Sequence, residues 1–262
     1  MRAPLAVLAV VLASVSAFAD GPSEIRLQGK AGKLQAYVWR PEGKGPFPAL
    51  VYNHGSERDP IVGTDGVIAR FFTHNGFVVL FPYRRGAGKS EGVHWEARVH
   101  KLPKSAQDQG TIDALVAEND DVVSAVDWLR AQPFVDRAAI SVAGCSFGGI
   151  ETLLTAERSL GLRAAVDFAG ASMAWDDSPL LRERLLAAVE HARIPIFFLQ
   201  AENDFNTAPS LVLGEAMQQK KLPHRVHIYP HYGRSQMGGH AGFCLNGWDV
   251  WGADVLDFLR AK

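Results

Sequence analysis

The amino-acid sequence predicts an α/β fold, a doubly wound and mostly parallel sheet that begins with an antiparallel pair of strands. Short segments rich in Val, Ile and Phe alternate with longer amphipathic segments, as is typical of parallel sheets with helices on both faces. Most of the short segments are apolar on both sides, as strands buried between two helix layers must be. With 262 residues, 47% of them hydrophobic, the chain can bury a core without a metal or disulfide.

The first two predicted strands differ from the others because apolar and polar residues alternate along them. The segments SEIRLQG, residues 23–29, and LQAYVWRP, residues 34–41, therefore predict an antiparallel pair with one face in water. Six later segments predict the parallel strands: FPALVYN, GFVVLFPYR, RAAISVAG, RAAVDFAG, IPIFFLQ and HRVHIYPH.

Six amphipathic segments between or after these strands predict helices. The clearest covers residues 111–130, where apolar residues recur on one face at helical spacing. A long polar segment, residues 84–110, interrupts the alternation and is predicted to be a loop with a functional role. Because no Pro-, Gly- or Ser-rich linker divides the chain, we expect residues 20–262 to form one domain. The other predicted helices cover residues 66–75, 149–159, 180–191, 209–220 and 248–260.

Residues 1–19 predict a signal peptide of bacterial type. Arg2 precedes an apolar run, and Ala17-Phe18-Ala19 has the small-x-small pattern of a cleavage site. We expect cleavage after Ala19 and a secreted or periplasmic protein, with an uncleaved membrane anchor as the alternative. No later segment approaches the roughly 20 apolar residues of a spanning helix, so we expect no membrane span after cleavage.

The charge distribution argues against several classes of partner. The chain has 27 basic and 28 acidic residues and a formal net charge of −1. No basic stripe is present, so we expect no nucleic-acid partner. No histidine pair has the spacing of a metal-binding motif such as H-E-x-x-H, and we expect neither a metal nor an organic cofactor.

The segment from Gly144 to Gly148, GCSFG, has the pattern G-x-S-x-G between a predicted strand and a predicted helix. In a nucleophile elbow the turn is so tight that the residues flanking the nucleophile must be small. Ser146 has glycine at both flanking positions, whereas centring on Cys145 would place a phenylalanine at one of them. We therefore predict Ser146 as the nucleophile and the N–H of Phe147 as an oxyanion donor.

A serine nucleophile needs a histidine base and an acid that orients it, in the chain order serine, acid, histidine. Asp204 follows the strand IPIFFLQ, and His240 is predicted to lie in a glycine-rich turn after the last strand. Both positions are at strand ends, on the edge where open α/β sheets bind ligands. We assign Asp204 as the acid and His240 as the base; their rivals are Glu202 and His231.

The loop after FPALVYN, His54-Gly55-Ser56-Glu57, is predicted to complete the oxyanion site. We expect the N–H of Ser56 to be the donor and His54 to brace the loop. Three aromatic residues lie in or beside loops that could line the substrate pocket, and for each a plain packing role is an equal alternative. They are Trp95, Trp175 and Phe205.

The chain has two cysteines, Cys145 and Cys244. Export to an oxidising compartment favours a disulfide between them, whereas a pair of buried free thiols is the alternative. The sequence leaves both open.

In this order, the segments VYNHGSE, GFVVLFPYRRGAGKSEG, GCSFGG, QAENDFNT and GGHAGF resemble the α/β-hydrolase superfamily. The resemblance begins near Glu24 and is closest to the dienelactone hydrolase and prolyl-oligopeptidase-like branch. It implies oxyanion contacts from Gly55-Ser56, an acid at Asp204 and a base at His240. Two departures favour a small exported serine esterase. Dienelactone hydrolases proper have cysteine where this chain has Ser146, and the related peptidases carry a large N-terminal propeller.

These observations predict a serine hydrolase that cleaves a small-molecule carboxylic ester through an acyl-enzyme intermediate. Three alternatives remain open. They are hydrolysis of a peptide or amide by the same triad, cysteine chemistry at Cys145, and a non-catalytic binding role, because fold alone does not imply function.

Overall fold

An eight-stranded sheet forms the centre of the structure, a computed structural model that describes residues 21–60 and 66–261. The strand order is β1-β2-β4-β3-β5-β6-β7-β8. The strands are β1 Ser23–Gly29, β2 Gly32–Trp39, β3 Phe47–Asn53, β4 Val78–Pro82, β5 Val135–Cys145, β6 Ala165–Phe168, β7 Ile196–Ala201 and β8 His224–Tyr229.

The pairing of these strands confirms the predicted fold class. β1 pairs antiparallel with β2, and β2 pairs antiparallel with β4, whereas all the other neighbours run parallel. Every residue of β4 and β7 is buried, while exposed residues recur along β1. This difference follows from the alternation in the first two strands and its absence from the central ones.

Helices cover both faces of the sheet. One face packs against α1, α7 and α8, and the other packs against α3, α4, α5 and α6. The helices are α1 Val67–His74, α2 Trp95–Val99, α3 Gln107–Ala131, α4 Phe147–Ala156, α5 Pro179–Glu190, α6 Ala208–Gln219, α7 Phe243–Asn246 and α8 Trp248–Arg260. None of the helices in the described ranges is long and apolar enough to cross a membrane.

Two segments differ from their predicted form. The polar segment 84–110 contains α2 and a turn of 3-10 helix at Lys104–Ala106. The glycine-rich stretch around His240 is a π-helical turn, Gly238–Gly242, that continues into α7. A Cβ on Gly239 would lie 2.8 Å from the backbone carbon of Asn203, so this glycine permits close packing of a helical turn. The predicted signal peptide lies outside the described residues.

Candidate active site

Ser146 lies in a sharp turn between β5 and α4. Its φ of 58° is in the left-handed region, where a non-glycine residue is strained, and its N–H donates to the carbonyl of Phe168 at 2.9 Å. A Cβ on Gly144 would lie 2.3 Å from the carbonyl oxygen of Gly148, and one on Gly148 would lie 2.1 Å from that of Asn53. The turn therefore has room for glycine alone at the two positions that flank Ser146.

Gly148→Ala is expected to lower both stability and activity, because the added methyl group meets backbone atoms of β3 that cannot rotate away. Overpacking of this kind costs about 1–3 kcal/mol or more. Thermal unfolding measures the cost. Gly110→Ala is the control, since the one close approach of its Cβ would be to the end of the flexible Leu102 side chain. Equal stability of the two variants would contradict the tight turn.

The two residues predicted as acid and base lie next to each other. The Nδ1 atom of His240 lies 2.9 Å and 3.1 Å from the two carboxylate oxygens of Asp204, and both side chains are buried. Three further donors hold the carboxylate: the Ser172 hydroxyl, the Gln200 amide and the N–H of Phe205. A proton placed on Nδ1, facing the carboxylate, leaves Nε2 as the acceptor nitrogen of the ring.

The rivals of this pair lie elsewhere. His231 and Glu202 face each other at 3.5 Å on the surface, with about two thirds of each side chain exposed. Such an exposed pair is solvated and contributes little.

Ser146 and His240 line one small cavity of about 160 Å³. Within the described part of the chain, His240 Nε2 is buried and has no hydrogen-bond partner. Catalytic hydrogen bonds are often long in unliganded sites and shorten when substrate binds. The sequence did not indicate Met173 or Met237, which line the cavity from exposed positions. The cavity is lined by Tyr52, His54, Gly55, Ser56, Glu57, Cys145, Ser146, Met173, Met237, His240, Ala241 and Leu245.

Of the two residues predicted to supply oxyanion donors, one lines the cavity and the other follows Ser146 directly. Ser56 lines the cavity, and Phe147 is the first residue of α4. The N–H groups at the start of a helix have no partner within it, and neither N–H has a hydrogen-bond acceptor among residues 21–60 and 66–261. Neither N–H is therefore committed to a backbone acceptor in these ranges.

The three predicted pocket aromatics lie in different places. Trp95 stacks on Phe147, with 5.2 Å between ring centroids, and its indole N–H donates to the carbonyl of Ser56 at 3.2 Å. Phe205 packs its edge against the His240 ring at 5.6 Å. Trp175 is buried in the hydrophobic cluster that includes α5, which favours the packing alternative. None of the three aromatic residues is among those that line the cavity.

Cys145 and Cys244 form a disulfide. Both are buried, and they are the two cysteines of the chain. Cys145 therefore carries no free thiol, and cysteine chemistry is not available to this state of the protein.

Comparison with known proteins agrees with this fold. Residues 30–206 match the family model described as X-Pro dipeptidyl-peptidase (S15 family). The chain belongs to the S15 family. The matched range includes Ser146 and Asp204 and ends before His240. The family and the fold place the chain in the α/β-hydrolase superfamily. The fold is that of serine hydrolases of the peptidase and esterase type.

Individual relatives of this S15-family chain carry different names. It is 24% identical to acyl-coenzyme A amino acid N-acyltransferase 2 of Rattus norvegicus, over 92% of the chain and 63% of the relative. A puromycin-hydrolyzing peptidase of Mycobacterium tuberculosis superposes with a TM-score of 0.68 at 21% identity, over 91% of this chain and 39% of the peptidase. A Klebsiella pneumoniae protein named as a dienelactone hydrolase superposes with a TM-score of 0.65 at 14% identity, over 92% of this chain and 98% of the hydrolase. These structural likenesses show the fold, and the chain spans well under two thirds of the peptidase.

Proposed function

We propose that the protein is a serine hydrolase that cleaves small carboxylic esters by a Ser146-His240-Asp204 triad. The observation that carries the proposal is the buried His240–Asp204 pair, with Nδ1 2.9 Å from the carboxylate, beside a cavity that Ser146 shares. A nucleophile on a strained elbow, next to a base that an acid orients, is the arrangement that acyl transfer requires.

The reaction has two steps. His240 Nε2 takes the proton of the Ser146 hydroxyl as the oxygen attacks the ester carbonyl, and the N–H groups of Phe147 and Ser56 stabilise the oxyanion. The imidazolium then protonates the leaving alcohol, and an acyl group remains on Ser146. In the second step His240 deprotonates a water molecule, which releases the acid and restores the serine. Asp204 holds the imidazole throughout and stabilises its charged form.

The size of the cavity supports a small substrate group. Pockets that bury a drug-sized ligand measure about 300–1,000 Å³, whereas this one holds about 160 Å³. Peptide or amide cleavage by the same triad is the second candidate, and the S15 family match favours it.

The disulfide supports the proposal that residues 1–19 direct export. Disulfides persist in secreted and periplasmic proteins and are rare in the cytosol, and this one joins the chain's two cysteines. A secreted or periplasmic location therefore remains our proposal for the mature protein.

Labelling with a fluorophosphonate, located by mass spectrometry, tests the nucleophile. We expect a single adduct on Ser146, and a folded protein that takes no label would favour a non-catalytic binding role. Three chromogenic substrates then separate the candidates: the ester p-nitrophenyl acetate, its amide counterpart p-nitroacetanilide, and Gly-Pro-p-nitroanilide for the dipeptidyl-peptidase activity after which the family is named. The ester is expected to have the higher kcat/KM; faster cleavage of either anilide would assign the protein as an amidase or peptidase.

A further inference from the structure

One buried guanidinium binds the loop that precedes Ser56. Arg84 is 1% exposed. Its Nη1 donates to the carbonyl of His54 at 2.8 Å, and its Nη2 donates to the carbonyl of Gly55 at 2.6 Å. The backbone N–H of Arg84 also donates to Nε2 of His54 at 3.2 Å. Two successive carbonyl groups of the loop are thus held by a single side chain.

The hydrogen bond from Arg84 to the carbonyl of Gly55 determines where the N–H of Ser56 points. The carbonyl of Gly55 and the N–H of Ser56 belong to the same planar trans peptide unit, in which the two bonds point in opposite directions. Because Arg84 holds the carbonyl, the N–H must face away from the guanidinium. Ser56 lines the cavity that contains Ser146, so the orientation leaves the N–H free for an oxyanion there.

The same guanidinium reaches the second oxyanion segment. Its central carbon lies 5.1 Å from the ring centroid of Phe147, within the range of a cation–π contact. The Phe147 ring stacks on Trp95, whose indole N–H donates to the carbonyl of Ser56. Arg84 therefore contacts both segments that supply the proposed oxyanion donors, and Trp95 links the same two segments through its contacts with Phe147 and Ser56.

A buried carboxylate, Glu118, balances the charge of Arg84. Nε donates to Glu118 of α3 at 3.0 Å, and each side chain of this pair is 2% exposed. A buried charge left without its partner is strongly destabilising, so a test must remove the two charges together. The chain offers a matched pair whose acid lies on the same helix: Arg85 and Asp121, with side-chain atoms 2.7 Å apart, have no hydrogen bond to residues 54–56 within the described ranges.

We propose that Arg84 is a positioning residue that aligns the oxyanion site through the carbonyl groups of His54 and Gly55. The inference rests on the proposed function. It assigns to the Arg84–Glu118 pair a role in the rate of acyl transfer, in addition to its role in stability.

The test compares the double variant Arg84→Met/Glu118→Gln with Arg85→Met/Asp121→Asn. Loss of one oxyanion donor lowers kcat by about 10²–10³-fold, and misalignment is expected to cost about 10–100-fold in kcat with KM within about twofold. The rate of phosphonylation should fall in parallel, because the phosphonyl oxygen uses the same donors. The control pair should lower the melting temperature while leaving kcat within about twofold.

Arg84→Lys, which keeps a positive charge opposite Glu118, decides the question if the double variant does not fold. A lysine can bind one of the two carbonyl groups, and kcat should be intermediate. Wild-type kcat in the Arg84 variants, or an equal loss in the control pair, would overturn the inference and leave the ion pair a purely structural role. A wild-type protein without hydrolysis or labelling would instead refute the proposed function.

Discussion

Ser146→Ala abolishes hydrolysis, with kcat for p-nitrophenyl acetate expected to fall by about 10⁴–10⁶-fold. No other hydroxyl lies in the strained turn between β5 and α4, and removal of a triad serine leaves only the catalysis supplied by the oxyanion site and by binding. The fold should survive, since the backbone N–H that donates to Phe168 is unchanged. Steady-state kinetics, with circular dichroism as the check of folding, measure the effect.

Ser141→Ala is the matched control for this change. Ser141 is buried on β5, the strand that leads to Ser146, and its hydroxyl has no hydrogen-bond partner in the described part of the chain. We expect its kcat to stay within about twofold of the wild-type value. A Ser146→Ala protein that retains most of its activity would show that another residue is the nucleophile and that the interpretation of the elbow is wrong.

Local rules were enough to predict the parts of the site that depend on backbone geometry. Gly144 and Gly148 identified Ser146 as the centre of the turn because neither position has room for a side chain: a Cβ on Gly144 would lie 2.3 Å from the carbonyl oxygen of Gly148, and one on Gly148 would lie 2.1 Å from that of Asn53. Chain order selected Asp204 and His240, and the Nδ1 atom of His240 lies 2.9 Å from a carboxylate oxygen of Asp204. Strand periodicity likewise predicted the sheet, since burial on both faces follows from composition.

Features that depend on packing between distant segments could not be predicted in this way. Arg84 and Glu118 are 34 residues apart, and no local period pairs a loop arginine with a helix glutamate. A tryptophan after a strand is consistent with a pocket wall or with the core, and packing places Trp175 in the core. The glycines around His240 predicted a turn, whereas Gly239 instead permits close contact with Asn203 in a helical turn.

The double variant Cys145→Ala/Cys244→Ala is expected to be much less stable than the wild-type protein. The bridge spans 99 residues, and a cross-link across a loop of about 100 residues stabilises a protein by about 4.7 kcal/mol in the chain-entropy model. For a chain of this size that corresponds to a fall of about 10–20 °C in melting temperature. Thermal unfolding followed by circular dichroism measures the difference.

Alkylation provides the control for this experiment. Wild-type protein unfolded without reductant should take up no iodoacetamide, and reduction before alkylation should add two groups, one at each cysteine. Two groups without reductant would show that the bridge is absent. A double variant within about 2 °C of the wild-type melting temperature would show that the bridge contributes little to folding.

The bridge also joins the two elements that carry the proposed nucleophile and base. Cys145 immediately precedes Ser146, and Cys244 lies four residues after His240, about one helical turn along the segment that continues into α7. Loss of the bridge should therefore lower kcat even at temperatures where the variant is fully folded, because His240 then depends on Asp204 and neighbouring contacts for its distance from Ser146. Since a shift of about 1 Å in a catalytic group can cost about 100-fold in rate, unchanged kcat in the folded variant would show that those contacts alone fix the histidine.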